Sequence, residues 1–202
     1  ASNSCTTGKC GPIAATGWAS AVRTGDYSRF TCAVHANGTA SCWGYNYYGQ
    51  LGDGTKTNSG KPVTVKGLTN VADLGVGDNH VCALHKDGTV SCWGYNYYGQ
   101  LADGTTTNST AVKKVAGLSD ITAIASGRYH TCALNKSKRV YCWGRNGSGE
   151  IGQGATSFNQ KKPMEVKGLT DVTSLVAGGY GTCVTRSDKT VWCWGQNSYY
   201  RL

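Results

Sequence analysis

Cysteine carries the most legible chemistry in this 202-residue sequence. Four pairs, Cys32 and Cys42, Cys82 and Cys92, Cys132 and Cys142, Cys183 and Cys193, each hold nine residues between the partners, and each ends in Cys-Trp-Gly. Cys5 and Cys10 make a fifth pair and bring the total to ten. Thiols so arranged could bind zinc or oxidise to disulfides. Structural zinc sites draw on close pairs such as Cys-x2-Cys, so the wider spacing here is poor for a metal. The spacing therefore predicts five disulfides and an oxidising compartment, with no resident metal or cofactor. Each of the four wider bridges would close a loop of about eleven residues, worth about 2–3 kcal/mol in the chain-entropy picture.

Other residue types offer less. His35 and His85 share one repeat position, and His80 and His130 share another, which reads as architecture rather than as a catalytic centre. A catalytic constellation needs a nucleophile, a base and an orienting group held together, and no stretch breaks the repeat to supply one. No phosphate-binding glycine loop, His-Glu-x-x-His or Gly-x-Ser-x-Gly is present. The chain is therefore expected not to be an enzyme. Asp53-Gly54-Thr55 and Asp103-Gly104-Thr105 suit turns better than calcium. Tyr45, Tyr47, Tyr48, Tyr95, Tyr97, Tyr98, Tyr199 and Tyr200 all follow Cys-Trp-Gly. They stand open to two readings, an interaction patch on one face or packing between repeats. Trp43, Trp93, Trp143 and Trp194 read as packing, and Asn46, Asn96, Asn146 and Asn197 as side chains that hydrogen-bond their own loops.

The elements that position these residues follow from one stretch, VCALHKDGTVSCWGYNYYGQLADG at 81–104. It reads as a strand, the turn Lys86-Asp87-Gly88, a second strand and a Gly/Tyr loop. With three residues in the turn, His85 faces Thr89 and Cys82 faces Cys92, a register suited to a cross-strand disulfide. The stretch recurs at steps of 50, 50 and 51 residues, and residues 41–51 and 91–101 are identical. Hairpins are expected near 31–44, 81–94, 131–144 and 182–195. A period near fifty points to a propeller, solenoid or array. Twenty-nine glycines against three prolines fit many short strands with tight turns.

The chain ends complement one another. Residues 1–11 read as a polar arm closed by Cys5 and Cys10. Pro12, Ile13, Ala14, Ala15 and Thr16 align with the strand that elsewhere follows a Cys-Trp-Gly hairpin, beginning PVTVKGL at Pro62. Here it precedes the first hairpin, and the last repeat stops at Leu202 where that strand is due. In a closed ring it would complete the last sheet and remove an unpaired edge.

The pattern His80-x-Cys82-Ala83-Leu84, Asp87-Gly88-x-Val90, Trp93-Gly94-x-Asn96 and Gly99-Gln100-Leu101-x-x-Gly104 resembles the regulator of chromosome condensation repeat family. The resemblance covers roughly residues 12–202. It implies an all-β β-propeller, here of about four blades of four antiparallel strands, each blade with its cross-strand disulfide. Family propellers usually close with seven blades, and this chain holds about four repeats. It departs further where Lys138 and Lys189 replace the turn glycine, and where the fourth repeat lacks Gly-Gln-Leu-Gly.

Charge is uneven: the first 101 residues carry seven Lys or Arg against five Asp or Glu, the other 101 thirteen against six. Basic charge among tyrosines suits anionic partners or simply a solvated face. Asn37, Asn108, Asn135 and Asn146 open glycosylation sequons. No apolar run approaches a membrane span. A leader, if the protein is secreted, has already been removed. These features predict a secreted or cell-surface protein that binds or assembles, such as an adhesin, fibre or filament subunit. Its partner would be a protein, a glycan or a second copy joined by head-to-tail exchange of residues 12–16. The alternatives are a secreted inhibitor, since inhibitors of β-lactamases resemble the same repeats, and the nucleotide-exchange and chromatin role for which the family is named. The repeated cysteines argue against the latter, and against nucleic acid as partner.

Overall fold

A computed structural model describes residues 19–198. Cys5, Cys10, residues 12–16, Tyr199 and Tyr200 lie outside them, so the arm, its bridge and the displaced strand are not part of the fold described. Fifteen β-strands and no helix make up the described residues, so none of them forms a helix able to cross a membrane.

The first blade comprises β1 (Ala19–Arg23), β2 (Phe30–His35), β3 (Ala40–Gly44) and β4 (Ser59–Thr64). The second holds β5 (Val71–Val76), β6 (His80–His85), β7 (Val90–Gly94) and β8 (Ser109–Lys114). The third holds β9 (Ile121–Ser126), β10 (His130–Asn135), β11 (Val140–Asn146) and β12 (Ser157–Glu165). The fourth has β13 (Val172–Gly178), β14 (Gly181–Arg186) and β15 (Val191–Gly195), three strands among the described residues. Neighbours in sequence are neighbours in each antiparallel sheet. The expected Pro-led strand begins three residues before Pro62, at Ser59, and lies at the sheet edge, where a residue without an N–H costs no ladder bond.

The hairpin register agrees with the sequence. His85 N–H donates to the Thr89 carbonyl at 2.9 Å, and Cys82 lies opposite Cys92. All four cross-strand cysteine pairs are bonded, with Cα atoms 4.1 Å apart. That is near the ~4.5 Å of a non-hydrogen-bonded antiparallel pair. Gly88 turns the second hairpin at φ 77°, and Lys138 and Lys189 adopt the same left-handed conformation at 61° and 68°. A side chain there costs about 1 kcal/mol that glycine does not. The Cys-Trp-Gly glycine is fixed by space: Gly94 has φ 99°, and a Cβ would stand 2.6 Å from the Asn79 carbonyl.

The core lies between blades, because successive sheets bury their facing surfaces against one another, and the second and third sheets do so on both faces. Cys82, Leu84, Val90 and Cys92 of the second blade meet Ile121, Ala133 and Trp143 of the third. The same arrangement joins the first blade to the second and the third to the fourth. Each join carries the same polar tie, in which an indole N–H donates to the carbonyl of the preceding loop. Trp93 bonds Gln50, Trp143 bonds Gln100, and Trp194 bonds Glu150, all at 2.8–2.9 Å. Trp93, Trp143 and Trp194 thus pack between blades, as their type suggests. A second tie was not foreseen. His80 Nε2 meets Thr131 Oγ1 at 2.9 Å, and His130 Nε2 meets Thr182 Oγ1 at 2.8 Å, across the two later joins. Both rings are fully buried, and burial drives their pKa down to about 3 and about 4.

The series has two ends. At the inner loops the first and fourth blades touch, the Gly179 N–H donating to Asp26 at 2.7 Å. Their sheets make no contact comparable to that between successive blades.

Candidate functional site

Each blade's β3-type strand ends where its β2-type strand begins. The loop after Cys-Trp-Gly and the loop entering the hairpin therefore emerge at the same end, and among the described residues the four blades gather seven such loops on one face. The post-hairpin loop is braced from within by its asparagine. Asn96 Oδ1 accepts the Leu101 N–H at 2.9 Å, and its amide donates to the Thr105 and Thr107 carbonyls. Asn46 does the same. The Asp53 and Asp103 carboxylates accept the Thr55 and Thr105 N–H and hydroxyl groups, as turn residues do.

On this frame the tyrosines form one continuous aromatic band. Tyr47 meets Tyr48 at 5.0 Å between ring centroids, Tyr48 meets Tyr95 at 4.7 Å, and Tyr98 meets Tyr129 at 5.3 Å. Tyr129 reaches Tyr180 at 6.1 Å. The two readings of these residues divide by position. Tyr47 and Tyr97 are 62% and 51% exposed, while Tyr45, Tyr48, Tyr95 and Tyr98 are half-buried among neighbouring loops. Burial, with Tyr98 beside it, pushes the Tyr95 hydroxyl up to about 12.

The centre of the face comes from residues that the sequence did not single out. Arg128, Tyr129 and Tyr180 lie in the loops entering the third and fourth hairpins, where the repeat pattern lapses. Two residues before Phe30, His80, His130 and Gly181 stand Ser28, Asp78, Arg128 and Gly179. That variation inside a regular repeat was the available signal. The Arg128 guanidinium lies over Tyr27, Tyr129 and Tyr180 at 5.1–5.4 Å, and its Nε donates to Asp78 Oδ2 at 2.7 Å. Asp78 is buried, and desolvation raises its pKa against the opposing pull of Arg128. In the third blade Arg145 and Glu150 replace the Tyr and Gln of the first two. The buried Glu150 pairs with Arg145, which also lies over Tyr180 at 4.6 Å. Beside the band opens a cavity of about 380 Å³ between Tyr27, Tyr45, Tyr48 and Tyr129, with Asp78 and Arg128 in its wall.

Chemically this face can stack, donate and accept hydrogen bonds, and present positive charge. Among the described residues no three His, Cys, Asp or Glu side chains gather as a metal site would require.

Comparison with known proteins agrees with this architecture. Two profiles of the regulator of chromosome condensation (RCC1) repeat match the chain, one over residues 37–84, 87–134 and 138–185, the other over 71–100, 121–150 and 172–201. No curated protein sequence matches it. Yeast RCC1 (Prp20), solved bound to Kap60, superposes with a TM-score of 0.82 at 21% identity, over 94% of this chain and 46% of that one. Human WBSCR16 gives 0.83 at 20% identity, over 95% and 51%. The ectodomain of the Physcomitrella patens receptor kinase CR4 gives 0.56 at 27%, over 88% and 40%. The chain thus spans about half the length of these solved structures or less. With consecutive repeats matched over well more than half its length, and with their propeller blades in its fold, the chain belongs to the regulator of chromosome condensation repeat family.

Proposed function

We propose that this is an extracellular, non-catalytic interaction protein, a surface fibre, filament or adhesin subunit that associates head to tail. The observation that carries this reading is the forward face of the fourth blade. Val176 and Val191 are 62% and 66% exposed there, whereas Val90 and Val140, at the position of Val191, are fully covered by the next blade. An uncovered apolar sheet face of this kind marks an interface. The occupant to which the repeat is matched is the backward face of a first blade. There Trp43 stands half-buried, at the position from which Trp93, Trp143 and Trp194 each reach a preceding blade.

The edge supports the same reading. β3, β7 and β11 each pair with an outer strand, while β15 has no such partner among the described residues. The outer strand of the first blade contains Pro62, to which residues 12–16 align. Donated to a neighbour's β15, that segment would complete its sheet by strand addition, and repetition of a heterologous contact builds rings or fibres. The cross-strand disulfides favour an oxidising compartment. RCC1-type neighbours include Prp20p, described for its binding to Gsp1p and histones, and protein binding of that general kind is carried over here as a proposal.

Light scattering and negative-stain microscopy on the full chain, beside a variant lacking residues 1–16, test it. Growth into long assemblies, lost in the variant while its hairpin disulfides stay formed, is expected. A full chain that stays monomeric at high concentration overturns it.

A further inference from the structure

We propose that the tyrosine-lined cavity on the loop face is a binding site for a neutral saccharide unit. Its about 380 Å³ falls within the range of small-ligand pockets and suits one or two pyranose rings. Its wall carries an unmet demand. The Asp78 side chain is 6% exposed, its Oδ2 is held by Arg128, and its Oδ1 has no hydrogen-bond partner, although the Tyr27 amide is near enough to lower its pKa slightly. A buried acceptor left without a donor is costly, so the cavity selects a ligand that brings one.

The remaining groups narrow the class. A carboxylate ligand brings no donor to Asp78, and phosphate, though it keeps a P–OH, would lie with its net charge against that of Asp78. An ammonium or guanidinium group would meet Arg29 and Arg128, and Arg128 already occupies the faces of Tyr27 and Tyr129. A hydroxyl both donates and accepts. A sugar can therefore donate to Asp78 Oδ1 and accept from the arginines and from tyrosine hydroxyls. Its C–H face would lie on a tyrosine ring, whose π-face is electronegative. Aromatic walls, two cations and one buried carboxylate with a free oxygen together favour a polyol over an ion.

Saturation-transfer NMR and calorimetry on the full chain test the site and separate free sugars from glycan chains. The probes are glucose, mannose, galactose and N-acetylglucosamine, beside cellotriose and chitotriose. Saturable binding of at least one is expected. A monosaccharide that binds as tightly as its trimer assigns the site to free sugar, and a trimer that binds tighter assigns it to a chain. Asp78→Asn should weaken binding about 10-fold, the cost of a lost buried hydrogen bond to a charged group. Tyr27→Ala, at an exposed ring whose loss leaves the fold intact, should weaken it as well. The proposal is overturned if no probe binds up to the order of 10 mM, beyond the millimolar affinities of weak sites. It is equally overturned if Tyr27→Ala binds like the parent, or if inorganic phosphate or acetate saturates the cavity instead.

Discussion

The second and fourth blades are built on one hairpin plan and differ in what touches them. In the second, Cys82, Val90, Cys92 and Trp93 are wholly buried, between blades on both sides. In the fourth, Val191 replaces Val90 at 66% exposure, the Cys183–Cys193 bridge is half-exposed, and Val176 stands free where Gly75 packs against Ser126 of the next blade. A blade's core therefore belongs to its joins. Stability in such repeats is a sum of blade terms and nearest-neighbour terms, and the fourth blade has one neighbour term fewer. Its disulfide is the same as the others but guards a thinner structure.

The sharpest way to break this comparison is to remove a tryptophan from each blade. Trp93→Ala should cost about 3–5 kcal/mol, the range for a buried large aromatic. Trp192→Ala should cost less than about 1 kcal/mol, because that ring is 51% exposed and its partner is the Arg186 cation at 5.7 Å. Urea unfolding of both variants checks the contrast, and equal losses would erase it.

Next comes reduction. Of the four cross-strand bridges, a mild thiol should open Cys183–Cys193 first under native conditions, because attack needs access and the other three are fully buried. Losing one such bridge should cost about 2–3 kcal/mol by its loop length. Timed alkylation with peptide mapping reads the order, and simultaneous opening of all four would contradict it.

Acid should act first on the two later joins. His80 and His130 have no histidine counterpart in the first or fourth blade, where Phe30 and Gly181 stand. Their folded pKa values, about 3 and about 4, lie below the unfolded value of about 6.5. Between those limits the unfolded chain binds more protons, so stability rises with pH. The contribution is full above pH 6.5 and declines as pH falls toward 4, before most carboxylates titrate. Melting temperature against pH should show this decline, and the His80→Asn, His130→Asn double variant should flatten it.

The smallest effect concerns the turns. Lys189→Gly should stabilise by about 0.5–1 kcal/mol through relief of a left-handed residue, offset in part by the entropy of the added glycine. A lower melting temperature would show that the lysine contributes more than the turn costs it.

The hairpins, their register, the cross-strand bridges and the role of the tryptophans were all legible, because each rests on local spacing repeated four times. The Pro-led strand was placed three residues late, β4 starting before its proline at Ser59. The His–Thr ties were hidden since each links residues 51 or 52 apart across a join. The Arg128, Tyr129 and Tyr180 cluster lay in loop positions that vary from blade to blade, where pattern gives no guidance. The unequal exposure of Val90 and Val191 cannot be read from sequence, because both sit in the same local pattern and only the neighbour differs.

Sedimentation velocity of the full chain across a wide concentration range, beside Val191→Asp, tests the central claim most directly. Head-to-tail association predicts that the parent's average mass climbs with concentration while Val191→Asp stays a monomer with an unchanged melting temperature, since that side chain is exposed within one copy. A parent that remains a single monomeric species throughout, or a variant that assembles as well as the parent, would contradict it.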